Sequence, residues 1–329
     1  MGADRKKRAP AQAAVSADTV VAAGVARGAE ARIALGRSGV EVAPLGWGMW
    51  RFAGADVATA RLRIEAALDI GCTLFDTADI YGYGTPDGFG GAERLLGLVL
   101  RSAPELRRRM VLATKGGINP PLPYDSSAAY LVQACENSLQ RLGIERIDLY
   151  QIHRPDLLTH PAEVAAALEQ LRRAGKIRAA GVSNYSAAQL DALCQHLPFP
   201  LASIQPEFSP LAIEPLSNGV LDAAMRHGIA VLAWSPLAQG RLGVAKPAEA
   251  ADARTAAVVA ALDRVAVRAL APRSAVAYAW VMAHPSRPVP LIGSQNPARI
   301  REAAAAYAVQ LGREEWYQVL EAARGEPLP

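Results

Sequence analysis

The stretch GCTLFDTADIYG (residues 71–82) contains a short apolar run, Thr73–Phe75, that stands directly before a carboxylate, Asp76. A helical pattern precedes this run over residues 57–69, and a second one follows near residues 92–100. A short apolar strand between two helices is typical of a parallel sheet that is covered by helices. The stretch therefore predicts one repeat of a β/α fold in which polar side chains follow the strand.

The same alternation of strand and helix continues on both sides of this stretch. Eight strand-plus-helix units in about 290 residues favour a closed (β/α)8 TIM barrel over a doubly wound sheet. No GxGxxG motif follows the first strand, which argues against a Rossmann domain. Two short apolar runs around GRSG (residues 36–39) predict a small N-terminal hairpin. The predicted barrel strands are Leu45–Trp50, Thr73–Phe75, Met110–Thr114, Ile147–Ile152, Ile177–Val182, Ala202–Ile204, Ile229–Ala233 and Val289–Ile292.

The first 30 residues differ from the rest because they are rich in Ala and contain the basic cluster Arg5–Arg8. A signal peptide would need a longer apolar segment than Val20–Val25, and Asp18 lies beside that segment. We therefore expect residues 1–30 to form a disordered tail. No linker interrupts the alternation after it, so residues 31–329 are predicted to form one barrel domain.

Composition excludes several classes of protein. The chain has 329 residues, of which 51% are hydrophobic and 20% charged, as in a folded globular protein. With 35 Lys and Arg against 31 Asp and Glu, the net charge of +4 indicates no nucleic-acid surface. No apolar run approaches the roughly 18 residues of a membrane span. The three cysteines, Cys72, Cys135 and Cys194, match no metal or redox spacing, which predicts reduced thiols in the cytoplasm and no metal site.

Polar or aromatic residues follow nearly every predicted strand. In a barrel of this kind the chemistry lies at the C-terminal ends of the strands. A histidine or lysine alone at such a position is more often structural, but a full set that faces one mouth predicts a site. The strand-end residues are Gly48, Met49, Trp50, Asp76, Lys115, His153, Ser183, Asn184, Gln205, Trp234, Ser235 and Ser294.

Several of these segments resemble the aldo-keto reductase family. Residues 71–82 are similar to its signature, and Lys115 in ATKG (residues 113–116) resembles its catalytic lysine. His153 in DLYQIHRP (residues 148–155) resembles its histidine, and residues 175–184 are similar to a further block. The order is that of the family from about Ile33 onward, and the HRPD continuation resembles a short-tailed bacterial branch. The resemblance implies a (β/α)8 enzyme that uses NADPH to reduce aldehydes or ketones to alcohols.

The resemblance implies four catalytic residues, Asp76, Tyr81, Lys115 and His153. A tyrosine with a pKa of about 10 is a poor acid at neutral pH. An ammonium about 4 Å away, at an effective dielectric near 20, supplies about 4 kcal/mol and would lower that pKa. We therefore predict that Lys115 lowers the pKa of Tyr81, that Asp76 positions Lys115, and that His153 orients the substrate oxygen. The structural alternative is a buried Asp–Lys pair beside a core tyrosine.

A cofactor pocket is implied by the same resemblance. Trp234 would stack on the nicotinamide, and Ser183, Asn184 and Gln205 would bind its carboxamide. The remaining predicted cofactor residues lie on the strand-end segments and on the loop before the last helices: Gly48, Met49, Trp50, Asp76, Ser235, Pro236, Leu237, Gly293, Ser294, Gln295, Arg299 and Glu302.

The choice between NADPH and NADH depends on the segment around Pro297, which suits the first position of a helix and predicts a phosphate site there. Ser294 and Arg299 match family residues that hold the 2′-phosphate, so NADPH is implied. Gly293 stands where many members carry Lys, and Ala303 where many carry Asn. These two departures predict weaker or less selective binding of the phosphorylated cofactor.

Two other functions stay open from the sequence. The first is a nicotinamide-binding redox-sensor module with slow turnover, and the second is another barrel enzyme such as an isomerase. An isomerase would need a carboxylate base or a metal cluster, and Asp76 is the one strong acid at the predicted strand ends. The predicted partner is a small-molecule carbonyl substrate. The substrate pocket is predicted to be lined by the loop Ile118–Tyr124 and by four aromatic residues: Trp50, Tyr83, Phe89 and Phe208.

Overall fold

The computed structural model describes residues 28–243 and 252–329. Most of the predicted disordered tail, residues 1–27, lies outside the described residues. The predicted hairpin is present at the start of the described chain, where Ile33 pairs with Val42 and Ala34 with Glu41 in antiparallel register. The two strands of this hairpin are β1 (Ile33–Ala34) and β2 (Glu41–Val42).

Eight parallel strands close into a barrel in the order β10-β3-β4-β5-β6-β7-β8-β9. The predicted (β/α)8 TIM barrel with an N-terminal hairpin is therefore confirmed. The hydrogen-bonded register brings the C-terminal ends of neighbouring strands together, since Gly48 pairs with Asp76 and Ser183 with Gln205. The barrel strands are β3 (Gly46–Gly48), β4 (Leu74–Asp76), β5 (Val111–Gly116), β6 (Ile147–Ile152), β7 (Ile177–Ser183), β8 (Ser203–Gln205), β9 (Ala230–Ala233) and β10 (Val289–Ile292).

Helices cover the outside of the barrel, and several begin at the capping residues that sequence patterns favour. Ser127 accepts a hydrogen bond from the Tyr130 amide at 3.4 Å, and Gly143 ends the same helix in the left-handed conformation. The helices are α1 (Val57–Asp69), α2 (Gly91–Ser102), α3 (Ala128–Leu142), α4 (Pro161–Arg173), α5 (Ala187–His196), α6 (Val220–His227), α7 (Ala253–Ala269), α8 (Arg273–Met282), α9 (Pro297–Glu302) and α10 (Arg313–Arg324).

The apolar core has two parts. A large cluster lies between the sheet and the helices, and a smaller one fills the barrel interior next to the hairpin, where Leu35 packs with Leu74 and Leu149. The hairpin thus closes one end of the barrel with apolar side chains. Because all eight barrel strands are parallel, their C-terminal ends, with the polar residues, meet at the opposite mouth. Among residues 28–243 and 252–329, no helix is long and apolar enough to cross a membrane.

Candidate active site

A buried lysine connects two of the predicted catalytic residues. Asp76 ends β4, and Lys115 lies on the neighbouring strand β5. The Lys115 ammonium donates to Asp76 Oδ2 at 2.6 Å and to the Tyr81 hydroxyl at 3.3 Å. It also donates to the carbonyl of Thr77 at 2.9 Å. All three donor positions are therefore used, and the ammonium is held without contact with solvent.

Tyr81 reaches the lysine because the loop after β4 is fixed at several points. The Asp79 amide donates to the Lys115 carbonyl at 3.0 Å, and the Ala92 amide donates to the Tyr81 carbonyl at 3.0 Å. Gly82 then turns the chain with a φ of +106°, and a Cβ there would lie 2.6 Å from the Gly88 carbonyl oxygen. A glycine directly after Tyr81 is thus required by both backbone conformation and space.

The predicted lowering of the Tyr81 pKa is wrong for the protein alone. Burial of the phenol raises its pKa, and the Asp76 carboxylate adds to that rise, whereas Lys115 lowers the pKa as predicted. Burial outweighs the nearby ammonium, so the hydroxyl keeps its proton. Burial also opposes the charge of Lys115, but Asp76 and Tyr81 raise the lysine pKa and keep the ammonium charged.

His153 follows β6 and faces Tyr81 across the mouth. The two rings meet edge to face with centroids 5.8 Å apart. Burial lowers the pKa of His153 well below its usual value, and the positive charges of Lys115 and Arg154 lower it further. The imidazole is therefore neutral at pH 7 and carries one ring proton. Its Nδ1 atom is buried and has no hydrogen-bond partner among the described residues.

Gln151 belongs to this site, although our sequence analysis did not select it. Its Nε2 donates to Asp76 Oδ1 at 3.1 Å, and Gln205 Nε2 donates to the same oxygen at 2.9 Å. Gln151 lies two residues before His153, so strand alternation puts both side chains on the barrel interior. This two-residue spacing from His153 is the sequence signal by which Gln151 could have been predicted. With Lys115 on its other oxygen, Asp76 is fully partnered.

The residues predicted to hold the nicotinamide form one hydrogen-bonded chain. Trp234 Nε1 donates to Asn184 Oδ1 at 3.0 Å, and Asn184 Nδ2 donates to the His153 carbonyl at 3.2 Å. Ser183 Oγ donates to the Gln205 carbonyl at 2.9 Å. Asn184 and Ser235 both have a positive φ, which is uncommon for residues other than glycine and directs the strand ends into turns. The turn that starts at Ser235 continues through Pro236 and Leu237, and the Ala238 amide donates to the Ser235 carbonyl at 2.7 Å.

The predicted phosphate segment lies where β10 meets β3. Gln295 Nε2 donates to the Gly48 carbonyl at 3.1 Å, which joins the two strand ends. Asn296 Oδ1 accepts hydrogen bonds from the amides of Ala298 and Arg299 at the start of α9. Because these amides are already partnered, a phosphate at this helix start would be held by the side chains of Ser294 and Arg299. Glu302 accepts a hydrogen bond from Ser274 at 3.0 Å.

Three observations fit these residues to a nicotinamide dinucleotide. Gln295 Oε1 is buried without a partner and lies at the joined strand ends. A Cβ built at Gly293 meets no atom within 4 Å, so the backbone there is open to a ligand. Arg299 is exposed and has no ion-pair partner within the described part of the chain.

Two further predicted cofactor residues differ in exposure: Met49 is buried, whereas the Trp50 side chain is 60% exposed.

Phe208 does not line the mouth, which corrects the sequence prediction. Its ring is fully buried and packs on Trp280 of α8 with centroids 5.6 Å apart. It therefore faces the helix layer. Tyr83 is 59% exposed.

Comparison with known proteins decides the family. A sequence model described as "Aldo/keto reductase family" matches residues 44–324. The chain belongs to the aldo/keto reductase family. It is 54% identical over 297 residues to a protein of Novosphingobium aromaticivorans named 6-dehydroglucose reductase, covering 90% of this chain and 96% of that protein. It is 35% identical to oxidoreductase YdhF of Escherichia coli, covering 91% of this chain and 99% of YdhF.

A solved structure supports the same assignment. The thermostable aldo-keto reductase Tm1743, crystallised with the inhibitor epalrestat, superposes with a TM-score of 0.75 at 25% identity. The match covers 89% of this chain and 99% of Tm1743. The family resemblance and the barrel predicted from the sequence are thus confirmed. This aldo/keto reductase is an oxidoreductase that acts on carbonyl groups.

Proposed function

We propose that this aldo/keto reductase uses NADPH to reduce an aldehyde or ketone to an alcohol, with Tyr81 as the proton donor. The observation that carries the proposal is the contact between the Lys115 ammonium and the Tyr81 hydroxyl, beside the neutral ring of His153. Bound NADPH would supply the hydride. The protein side of the reaction is to orient the carbonyl oxygen, to protonate it, and to stabilise the charge left behind.

Each of these steps has a group in place. His153 donates its ring proton in a hydrogen bond to the carbonyl oxygen and orients it. Tyr81 transfers its hydroxyl proton to the developing alkoxide and becomes a phenolate. The Lys115 ammonium, 3.3 Å from that oxygen, stabilises the phenolate until solvent returns a proton. Lys115 opposes the rise in the Tyr81 pKa that burial causes, and so favours release of this proton to the alkoxide.

The cofactor is held by the residues that the sequence predicts, with Trp234 under the nicotinamide and Ser294 and Arg299 on the 2′-phosphate. The name of the Novosphingobium relative points to a sugar aldehyde as the first substrate to test. A reducing compartment, the cytoplasm, suits the free thiols Cys72, Cys135 and Cys194.

A fluorescence titration with NADPH and NADH, followed by addition of aldehydes, tests this function. We expect NADPH to quench tryptophan emission and to be consumed when an aldehyde is added. Tight binding without turnover on any aldehyde would instead favour the redox-sensor function. Absence of binding to both nucleotides would overturn the cofactor assignment.

A further inference from the structure

An unpaired guanidinium lies at the active-site mouth beside the catalytic groups. Arg154 directly follows His153, is half-buried, and places its Cζ atom 5.9 Å from the centre of the Trp234 ring. Its positive charge reaches both Tyr81 and His153, because it contributes to lowering the pKa of each. Within the described ranges 28–243 and 252–329, no carboxylate forms an ion pair with it. The proposed reaction gives this cation no task.

The carboxylate of Glu207, which lies on the strand segment next to Trp234, faces the same mouth. Glu207 pairs with Trp234 in a parallel bridge just beyond β8, so the backbone stays extended there. Gln205 points into the barrel towards Asp76, and Phe208 points out to Trp280. Strand alternation therefore places the Glu207 side chain on the inner face with Gln205.

Glu207 is half-buried and also lacks an ion-pair partner in the described residues. Burial raises the pKa of Glu207, the Glu214 carboxylate adds to that rise, and the positive charges of Arg241 and Arg154 oppose it. The Arg154 guanidinium, a hydrogen-bond donor, and the Glu207 carboxylate, an acceptor, thus both face the mouth, and they form no ion pair with each other in the described residues. A hydroxyl both donates and accepts, so a ligand with several hydroxyls satisfies both groups at once. An anionic ligand would meet the Glu207 carboxylate, and a cationic ligand would meet Arg154.

We propose that Arg154 and Glu207 are specificity-determining residues that bind hydroxyl groups next to the reacting carbonyl, so that the enzyme selects neutral polyhydroxylated aldehydes. This rests on the proposed function, since it concerns the substrate of that same site. Arg154 donates to hydroxyl oxygens, and Glu207 accepts from hydroxyl protons. Neither residue takes part in hydride or proton transfer.

Two pairs of aldehydes test the proposal. Glyceraldehyde and propanal differ by two hydroxyls, and 4-oxobutanoate and butanal differ by a carboxylate. We expect wild-type protein to have a higher kcat/KM for glyceraldehyde than for propanal, and no such preference for 4-oxobutanoate over butanal. Arg154→Met should lower kcat/KM for glyceraldehyde by about 10- to 100-fold and that for propanal by less than about 3-fold. Glu207→Gln should lower the glyceraldehyde value and raise the 4-oxobutanoate value.

Arg172→Met is the matched control, because Arg172 also lies over an aromatic ring, that of Phe199 at 4.6 Å, but outside the mouth. It should change no ratio. NADPH affinity and thermal unfolding are measured for every variant. Equal losses on glyceraldehyde and propanal, a lost NADPH affinity in Arg154→Met, or a wild-type preference for 4-oxobutanoate would overturn this proposal while leaving carbonyl reduction intact. A wild-type protein that reduces none of the four aldehydes would overturn the proposed function and this proposal with it.

Discussion

The Lys115 ammonium lies 2.6 Å from Asp76 Oδ2, and both side chains are almost completely buried. A buried ion pair is costly to desolvate and is tolerated when every charge and lone pair is partnered. Here Gln151 and Gln205 take the second oxygen of Asp76, and Thr77 and Tyr81 take the remaining protons of Lys115. The pair is therefore a rigid support that aims one charged proton donor at Tyr81.

Removing the Lys115 ammonium should lower both the free energy of unfolding and the catalytic activity, for two different reasons. Lys115→Met leaves Asp76 as an unpaired buried carboxylate, which costs about 3–5 kcal/mol in unfolding free energy. Activity should fall by at least about 100-fold, because the phenolate of Tyr81 loses its stabilising charge. Urea unfolding and steady-state kinetics measure the two effects. In the double variant Lys115→Met/Asp76→Asn stability should recover while activity does not; recovery of both would contradict the role of Lys115.

Much of the fold was readable from the sequence because each barrel strand is a short buried run that leads into a helix. The exact ends were not. The strand Leu45–Trp50 shortens to Gly46–Gly48, and β5 extends to Gly116, because pairing of Lys115 with Gln151 continues the ladder. Such pairing depends on the neighbouring strand, which a single segment of sequence does not contain.

The sequence predicted which residues meet in the site better than it predicted their pKa values. Strand ends brought Asp76 and Lys115 together as expected, but the pKa of Tyr81 depends on burial by the loop and by α2, which only the folded chain defines. Phe208 was misplaced for a similar reason. Its direction follows from the extended pairing of residues 206–208 with Trp234, beyond the last residue of the predicted strand.

Replacing the proposed proton donor should abolish turnover without affecting the cofactor. In Tyr81→Phe the ring still packs beside His153 and Lys115, but no hydroxyl proton is available. We expect kcat to fall by about 100- to 10,000-fold, with NADPH affinity unchanged in a fluorescence titration. The same substitution at Tyr317, an exposed tyrosine on α10, serves as the control and should keep its activity. Near-wild-type turnover in Tyr81→Phe would exclude the assigned role.

Acid should destabilise the protein partly through His153. Its pKa in the folded state lies well below the usual value near 6.5, so the folded chain stays unprotonated where the unfolded chain takes up a proton. Stability is therefore retained above about pH 6.5 and falls below it, by at most about 1.4 kcal/mol per pH unit for this group.

Urea unfolding at several values between pH 5 and pH 8 measures that slope. His153→Gln should show a shallower loss of stability on the acid side than wild type, and part of the slope should persist because burial also lowers the pKa of His284. The same substitution at the exposed His196 controls for the change of side chain. A slope unchanged by His153→Gln would mean that the buried imidazole takes up a proton before unfolding.

Selection of NADPH over NADH should depend on the guanidinium of Arg299. This side chain is exposed, has no ion-pair partner in the described part of the chain, and lies on the segment that follows Ser294 at the proposed phosphate site. The first helix amides there are capped by Asn296, and Arg301 of the same helix is paired with Asp69, so Arg299 carries the unpaired positive charge of this segment. Arg299→Ala should weaken NADPH binding by about 10- to 100-fold, the value of a charge-assisted hydrogen bond, and leave NADH binding nearly unchanged.

Arg301→Ala is the matched control, because Arg301 pairs with Asp69 at 2.9 Å and should affect neither cofactor. Equal losses for NADPH and NADH in Arg299→Ala would show that the guanidinium does not contact the 2′-phosphate.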